Sequence, residues 1–367
     1  MASNSFGQIF RITTFGESHG PAIGVVIDGC PAGLPLSQED IQTELNHRRP
    51  GKTAYTSPRT EEDKAEILSG LFEGQTTGAP IAILIYNKDA DSSQYDAFKN
   101  IYRPGHANFT YLEKYGIFDY RGGGRASARE TAARVAAGAV AKKLLAHFHI
   151  FCTAFISEIG GIPTQEIDLS NLHLLRQKTY ANPIFCPCDL TEELMREKIR
   201  QTQEEKDSLG GIVACLAHVP PGLGDPIYCK LEALLASAML SLPASKGFEI
   251  GLGFASTRTK GSKHNDPFEL NEQNQVRTST NQAGGTLGGI STGSPLFFRV
   301  AFKPTSSIKQ PQQTLSLQKE KSTLLPPDSG RHDPCVAIRA VPVVEAMTAL
   351  VLADAFLMSK SAKLSSM

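Results

Sequence analysis

Apolar positions along this chain follow two rhythms. Runs rich in aliphatic and β-branched residues at 22–27 (AIGVVI), 79–86 (APIAILIY), 211–219 (GIVACLAHV) and 295–302 (PLFFRVAF) predict strands, with another at 9–15. Helical start signals fall between them. Ser37 followed by Asp40, and Ser127 followed by Glu130, read as capping boxes ahead of helices over 38–48 and 128–146. Asp225-Pro226 predicts an N-cap and first-turn proline before 227–240, and Pro342 predicts the same for 342–358.

These helices differ in kind. Segment 128–146 is Ala-rich, carries Val135, Val140, Leu144 and Leu145, and has Gly138 where a neighbour can come close, so most of it is expected to be buried. Segment 192–206 (EELMREKIRQTQEEK) is charged on most faces and is expected in solvent, while the Ser-, Gln- and Lys-rich 305–323 reads as a surface loop or ribbon. His147 and His149 are expected to straddle a helix-to-strand turn. Strands interleaved with buried and amphipathic helices make a mixed α/β protein whose connectivity the pattern does not give. With no repeat and no long linker, a single domain over 1–367 is expected, with 359–367 as a flexible tail.

Composition adds limits. Thirty-seven Lys and Arg balance thirty-seven Asp and Glu, which argues against a general nucleic-acid binder. The apolar runs fall short of a membrane span, and the N-terminus has no signal-peptide pattern. Seven scattered cysteines without a CxxC pair suit a reduced, cytoplasmic chain and offer no metal site; Cys186-Pro-Cys188 lacks zinc spacing.

The chemistry concentrates in a few turns. RGGGRASARETAAR (121–134) places three glycines before a helix start, with Arg125 and Arg129 one helical turn apart and Arg134 beyond, an arrangement suited to a phosphate or carboxylate. GESHG (16–20) puts Ser18 and His19 on a tight turn after a strand; as neighbours they are expected to point apart, so they are not by themselves a nucleophile–base pair. RPGHAN (103–108) supplies His106, and GRHDPC (330–335) supplies Arg331, His332 and Asp333, so general acid–base work is suspected. HRRPGKT (47–53) and KPTSS (303–307) are further anion-friendly segments. GKT has no P-loop behind it, and GGTLGGISTG (284–293) is no dinucleotide fingerprint; its glycines are expected to form a loop lying flat on a ligand or another chain.

With GESHG, HRRPG, RPGHAN, RGGGRASARET, DSLGG (207–211), KGFEIGLGF (246–254), GGTLGGISTG, FKPTSS (302–307) and GRHDPCVAIRAVPVVEAM (330–347) in order over about nine-tenths of its length, the chain resembles the chorismate synthase family. The resemblance implies an α+β sandwich with central helices between β-sheets, a homotetramer, and a lyase of the shikimate pathway to aromatic amino acids. That reaction is the trans 1,4-elimination of phosphate from 5-enolpyruvylshikimate 3-phosphate, dependent on reduced FMN. It implies His19 and His106 as acids toward the leaving phosphate and the flavin, Asp333 in deprotonation through the flavin, and Ser18 and Ser127 in proton movement. FMN contacts carry over to Arg125, Ala126, Ser127, Pro243, Ala244, Gly288, Lys303, Pro304, Thr305, Ser306, Ser307 and Arg331. Arg48, Arg49, Arg129, Arg134 and Arg339 are expected to face the substrate, and Arg48 also matches an NADPH position.

Two residues depart from the family pattern. Asn108 stands where an Asp usually follows RPGHA, and Ala54 where relatives often carry a second NADPH-associated arginine. The second departure predicts a monofunctional enzyme, fed with reduced flavin by an external reductase and using NADPH only indirectly. The competing readings are a redox flavoprotein acting on a phosphorylated small molecule and an RNA-binding module. Zero net charge and the absence of clustered aromatics count against the second; that neutrality is itself a balance of unlike regions, since segments 45–60, 121–134, 299–309 and 331–339 hold 13 basic and 2 acidic residues. That suits a basic pocket better than a basic surface.

Overall fold

The structure, a computed structural model, describes residues 4–364 except 52, 58, 60, 90–94, 96, 97, 166 and 327–331. Two five-stranded antiparallel sheets frame it. The first joins β1 (Ser5–Phe6), β2 (Arg11–Phe15), β3 (Ala22–Asp28), β7 (Ile81–Tyr86) and β4 (Ala65–Ile67) in that order. The second runs β11 (Ser245–Ile250), β16 (Leu296–Phe302), β10 (Gly211–His218), β8 (Phe151–Ile159), β9 (Ile162–Pro163). Short hairpins, β5–β6 (Leu71–Phe72, Gln75–Thr76), β12–β13 (Phe268–Leu270, Val276–Thr278), β14–β15 (Thr286–Leu287, Ile290–Ser291) and β17–β18 (Gln312–Leu315, Lys321–Leu324), decorate the loops.

Helices fill the space between the sheets. α3 (Thr131–Ala146) packs on β3 and β7, α8 (Val336–Ser359) packs on β8 and β10, and the two helices pack on each other. Gly138 is where they touch: a Cβ there would run into Ala346 of α8. α1 (Gln38–Arg48) joins this layer beside α3, and α6 (Leu231–Leu240) lies against α8 and β11. The expected α+β sandwich with central helices is therefore present. Burial alternates along β2, β7 and β16, as one-faced strands require, but runs almost unbroken along β10. The outer face of that sheet is covered by α4 (Leu172–Ala181), whose Leu172 and Leu175 pack with Phe155, Ala214 and Leu216.

The capping box at Ser37 forms in full: its hydroxyl accepts from Asp40 N–H at 3.2 Å, and Asp40 accepts from Ser37 N–H at 2.8 Å. Other expectations are corrected. The helix expected from Asp225-Pro226 starts only at Leu231, because Ile227 takes φ +69° and a 3-10 turn, Ile227–Cys229, intervenes. α8 begins six residues before Pro342, which sits inside the helix; burial on all sides outweighs the hydrogen bond the proline removes. At 24 residues α8 is long and apolar enough to cross a membrane, but 89% of its most apolar stretch is buried inside this fold. α5 (Asp189–Glu204) buries Met195 and Ile199 rather than lying free in solvent, and 305–323 contributes to the β17–β18 hairpin. α2 (Asn108–Tyr115) and α7 (Gly261–His264) complete the helices. His149, at φ +57°, makes the expected turn between α3 and β8.

A buried carboxylate ties the layers. Glu345 of α8 is fully buried and meets Lys142 of α3 and Arg176 of α4, and it accepts from Ala154 N–H of β8 at 3.0 Å. Burial alone would raise its pKa, but Arg176 and Lys142 bring it down to about 2.

Candidate active site

A cavity of about 1240 Å³ lies where the turn after β2, the 103–108 turn, the glycine block, segment 303–307 and the start of α8 converge. Gly16, at φ +89°, swings the chain out of β2 and into the Ser18-His19 turn. There Ser18 Oγ stands 3.0 Å from His19 Nδ1, so the two side chains do not point apart as expected; the turn folds the hydroxyl back onto the ring. The His19 ring is edge-on to Tyr95 at 5.0 Å and lies against Gly122. Ser18, Tyr95 and Gly122 all line the cavity.

Gly122, Gly123 and Gly124 all adopt positive φ, the conformation their sequence foretold. A Cβ on Gly122 would overlap the His19 ring, and one on Gly123 would come within 3.1 Å of His106 Nε2. The block thus gives both histidines room at the main chain. The chain does not run straight into a helix: two 3-10 turns, Gly124–Ala126 and Ala128–Glu130, are separated by extended Ser127. Ser127 caps the second turn by accepting from Arg129 N–H at 3.3 Å, but the expected box with Glu130 does not form, because Ser127 N–H donates to Gly124 O instead. Arg125 and Arg129 consequently diverge. Arg125 donates to Thr14 Oγ1 at 2.9 Å and Gly16 O at 3.2 Å, whereas Arg129 donates to Asn87 Oδ1 at 2.8 Å.

His106 is mostly enclosed, and its Nδ1 is buried with no hydrogen-bond partner among the described residues. Burial, then Arg103, Lys303 and His332, push its pKa down to about 3; burial and Arg103 bring His332 to about 4. Arg103 is buried over the Phe98 ring at 4.6 Å and donates to Ser307 Oγ at 2.8 Å. Among the described residues it has no carboxylate partner. Asn108 closes this turn, accepting from Arg103 N–H at 3.1 Å and donating to Ile101 O at 2.9 Å.

The facing wall is built from arginines backed by acids. Arg48, 2% exposed, donates to Asp63 Oδ2 at 3.0 Å, Ala128 O at 2.7 Å and Thr131 Oγ1 at 3.2 Å. Arg129 pairs with the other oxygen of Asp63, and Arg59 donates to Glu61 at 2.7 Å. Arg134 bridges to Glu130 at 2.8 Å and donates to Ser241 Oγ at 2.6 Å. Asp333 accepts from Ser57 N–H at 2.7 Å and from Arg339 at 2.9 Å, so both its oxygens are engaged.

Most residues singled out from the sequence meet here. Ser18, Arg48, His106, Arg125, Ala126, Ser127, Arg129, Arg134, Pro243, Ala244, Lys303, Thr305, Ser306, Ser307, Asp333 and Arg339 line the cavity, and His19 borders it. Pro304 lies between two lining residues without lining it. Arg49, the C-cap of α1, does not line it, although Arg48 and Pro50 on either side do. Gly288 is also outside it: with Gly289 it makes the two-residue, positive-φ turn of the β14–β15 hairpin. Arg331 lies outside the described residues. Sequence reading passed over Arg59, Glu61, Asp63, Tyr95 and Arg103. Arg59 lay inside the basic window 45–60 and Arg103 inside RPGHAN; the two acids gave no signal. Among the described residues, no group of three or more His, Cys, Asp or Glu is placed to hold a metal ion.

Buried donors converge on one cavity, with imidazoles beside them, an arrangement that can bind anionic groups and move protons. The chorismate synthase family model matches residues 10–357. A chorismate synthase of Protochlamydia amoebophila is 57% identical over 99% of this chain and all of that protein, and one of Porphyromonas gingivalis is 54% identical over 98% and 97%. A crystal structure of chorismate synthase superposes with a TM-score of 0.76 at 34% identity, covering 97% of this chain and 93% of that one. This chain belongs to the chorismate synthase family. It is accordingly a lyase of aromatic amino acid biosynthesis acting on a small molecule.

Proposed function

We propose that the chain converts 5-enolpyruvylshikimate 3-phosphate to chorismate by trans 1,4-elimination of phosphate, with reduced FMN bound in the same cavity. The observation that carries this reading is the division of that cavity into two kinds of donor surface. One is the arginine wall of Arg48, Arg129, Arg134 and Arg339, each paired with an acid. The other is Arg103, His106, Lys303 and His332 beside the hydroxyls of Ser306 and Ser307, with no carboxylate on Arg103 among the described residues. Two phosphates and two carboxylates, on substrate and cofactor together, match these surfaces.

The residues fit FMN on structural grounds. The orphaned Nδ1 of His106 is an unsatisfied polar atom in the cavity wall that also holds Lys303 and Ser306–Ser307, and Gly122 and Gly123 let the two imidazoles lie back against the main chain. Reduced flavin would supply electron density as the phosphate departs. This chain's part is binding and proton control. Without a ligand His106 is neutral at pH 7, since burial and the cationic Arg103 and Lys303 oppose its charge. A dianion among those neighbours reverses the field and lets the imidazole carry the proton it donates. Ser18 holds His19 by its Nδ1, orienting the second acid. Asp333, clamped by Ser57 and Arg339, is fixed in position to accept a proton.

The reductant is assigned to an external reductase. Ala54 brings no guanidinium, and its carbonyl and Tyr55 are docked on α5 through Gln203 at 3.4 Å and Arg196 at 2.8 Å. A homotetramer is supported by large apolar side chains left exposed, among them Tyr228 and Phe254. A cytoplasmic location is supported by seven cysteines that are all free. The test is anaerobic: purified protein, reduced FMN and 5-enolpyruvylshikimate 3-phosphate should give chorismate with the flavin still reduced afterwards. A product two electrons away from the substrate would favour the redox flavoprotein. Unaltered turnover in His19→Ala and His106→Ala would remove the assigned acids.

A further inference from the structure

Asp63 does not line the active-site cavity, yet it organises its wall. Its side chain is completely buried, and its two oxygens are divided between two cavity-lining guanidinia, Arg48 and Arg129. The two arginines come from separate elements: Arg48 is the last residue of α1, and Arg129 sits in the 3-10 turn after the glycine block. Asp63 reaches them from the segment before β4, with φ +49°, a left-handed conformation that Asp and Asn tolerate better than most residues. Its carbonyl is held to α1 by Gln42 at 3.4 Å. Two buried like charges side by side are costly without a counter-charge between them.

We propose that Asp63 is a positioning residue for substrate binding, its carboxylate holding Arg48 and Arg129 as one paired clamp for a single anionic group. Arg48 gives three of the five guanidinium N–H donors to Asp63, Ala128 and Thr131, and the fixed plane leaves the other two for a ligand. Arg129 is fixed likewise by Asp63, Asn87 and Tyr86 O. The inference rests on the reading that this arginine wall binds the substrate.

The charges around Arg48 make the role measurable. Burial and then Arg339 of α8 bring Arg48 down to about 9; Arg129 pushes the same way, and Asp63 opposes them. Asp333 pairs with that Arg339 at 2.9 Å. Burial alone would raise the Asp63 carboxyl, but Arg48 and Arg129 hold it below its ordinary value, so it is charged at neutral pH. Removing that charge moves Arg48 further down, and substrate binding should fail at a lower pH.

Asp63→Asn keeps size and backbone preference and removes the charge. Wild-type turnover first settles the reading of the site on its own. Given that, the variant should raise the KM for substrate about tenfold or more at neutral pH with a smaller change in kcat, and the alkaline rise in KM should begin about one pH unit lower. A merely structural role would lower the Tm and leave the alkaline limb in place. Asp63→Glu retains the charge but advances it by one methylene, so KM should rise with the alkaline limb unmoved; this variant decides if the asparagine form does not fold. A folded Asn variant with wild-type KM and alkaline limb, or a Glu variant with wild-type KM, overturns the proposal.

Discussion

Gly122 lies against the imidazole of His19 so closely that a methyl group on it would overlap Nδ1 and Cε1 of the ring and crowd Ser18 Oγ. Its φ of +60° is open to alanine at a cost of about 1–2 kcal/mol. Collision with the ring is the larger effect, because the imidazole must turn away from the cavity. Gly122→Ala should therefore lower kcat by roughly 100-fold, the penalty typical of a displacement near 1 Å at a reacting group, while stability falls only modestly. Steady-state chorismate formation and a denaturant titration measure the two effects separately. A variant with unimpaired kcat would mean that His19 takes no part in turnover.

His106 and His332 make the unliganded protein sensitive to mild acid. Both have folded-state pKa values, about 3 and about 4, below the ordinary 6.5. Below 6.5 the unfolded chain gains protons that the folded one refuses, so stability drains as pH falls from about 6.5 toward 4. Each histidine contributes up to about 1.4 kcal/mol per pH unit across that window. Chemical denaturation between pH 6.5 and 5.5, above the carboxylate range, should show this slope, and His106→Asn should remove about half of it. Inorganic phosphate should flatten it too, since a bound anion lets the folded state accept the proton. A flat wild-type profile would contradict the burial assigned to both rings.

What could be read beforehand follows physical locality. The Ser37–Asp40 cap, the β10 run and the left-handed glycines are decided by neighbours in sequence, and their forms were legible. The family resemblance supplied the sandwich, which no periodicity could give. The first turn of α8 was hidden because Pro342 looks like a start, and only burial against β8, β10 and α3 carries the helix back to Val336. Ser18 and His19 were misjudged because adjacent side chains diverge in strands and helices but not in a tight turn. Asp63 and Glu61 left no trace at all: Asp63 holds arginines from two other elements and Glu61 pairs with Arg59 and Arg129, and such acids look like any surface acid until the chain folds.

Asn108 carries the last prediction, and here the departure from the family pattern has a concrete consequence. Its side-chain oxygen accepts from the Arg103 N–H, and its nitrogen donates to Ile101 O, so the amide closes the turn with one acceptor and one donor. An aspartate keeps the acceptor, loses the donor and turns an anionic oxygen toward the Ile101 carbonyl. Asn108→Asp should cost about 1–3 kcal/mol at pH 7, the range for a buried group left without its partner. The difference from wild type should shrink near pH 4, where a protonated carboxyl regains a donor. Since the turn carries Arg103 and His106 into the cavity, kcat should fall about tenfold at pH 7 and less at lower pH. Denaturation midpoints of both proteins at the two pH values test the bond. A penalty that does not change with pH would show that the donor to Ile101 contributes nothing and that Asn108 acts through its oxygen alone.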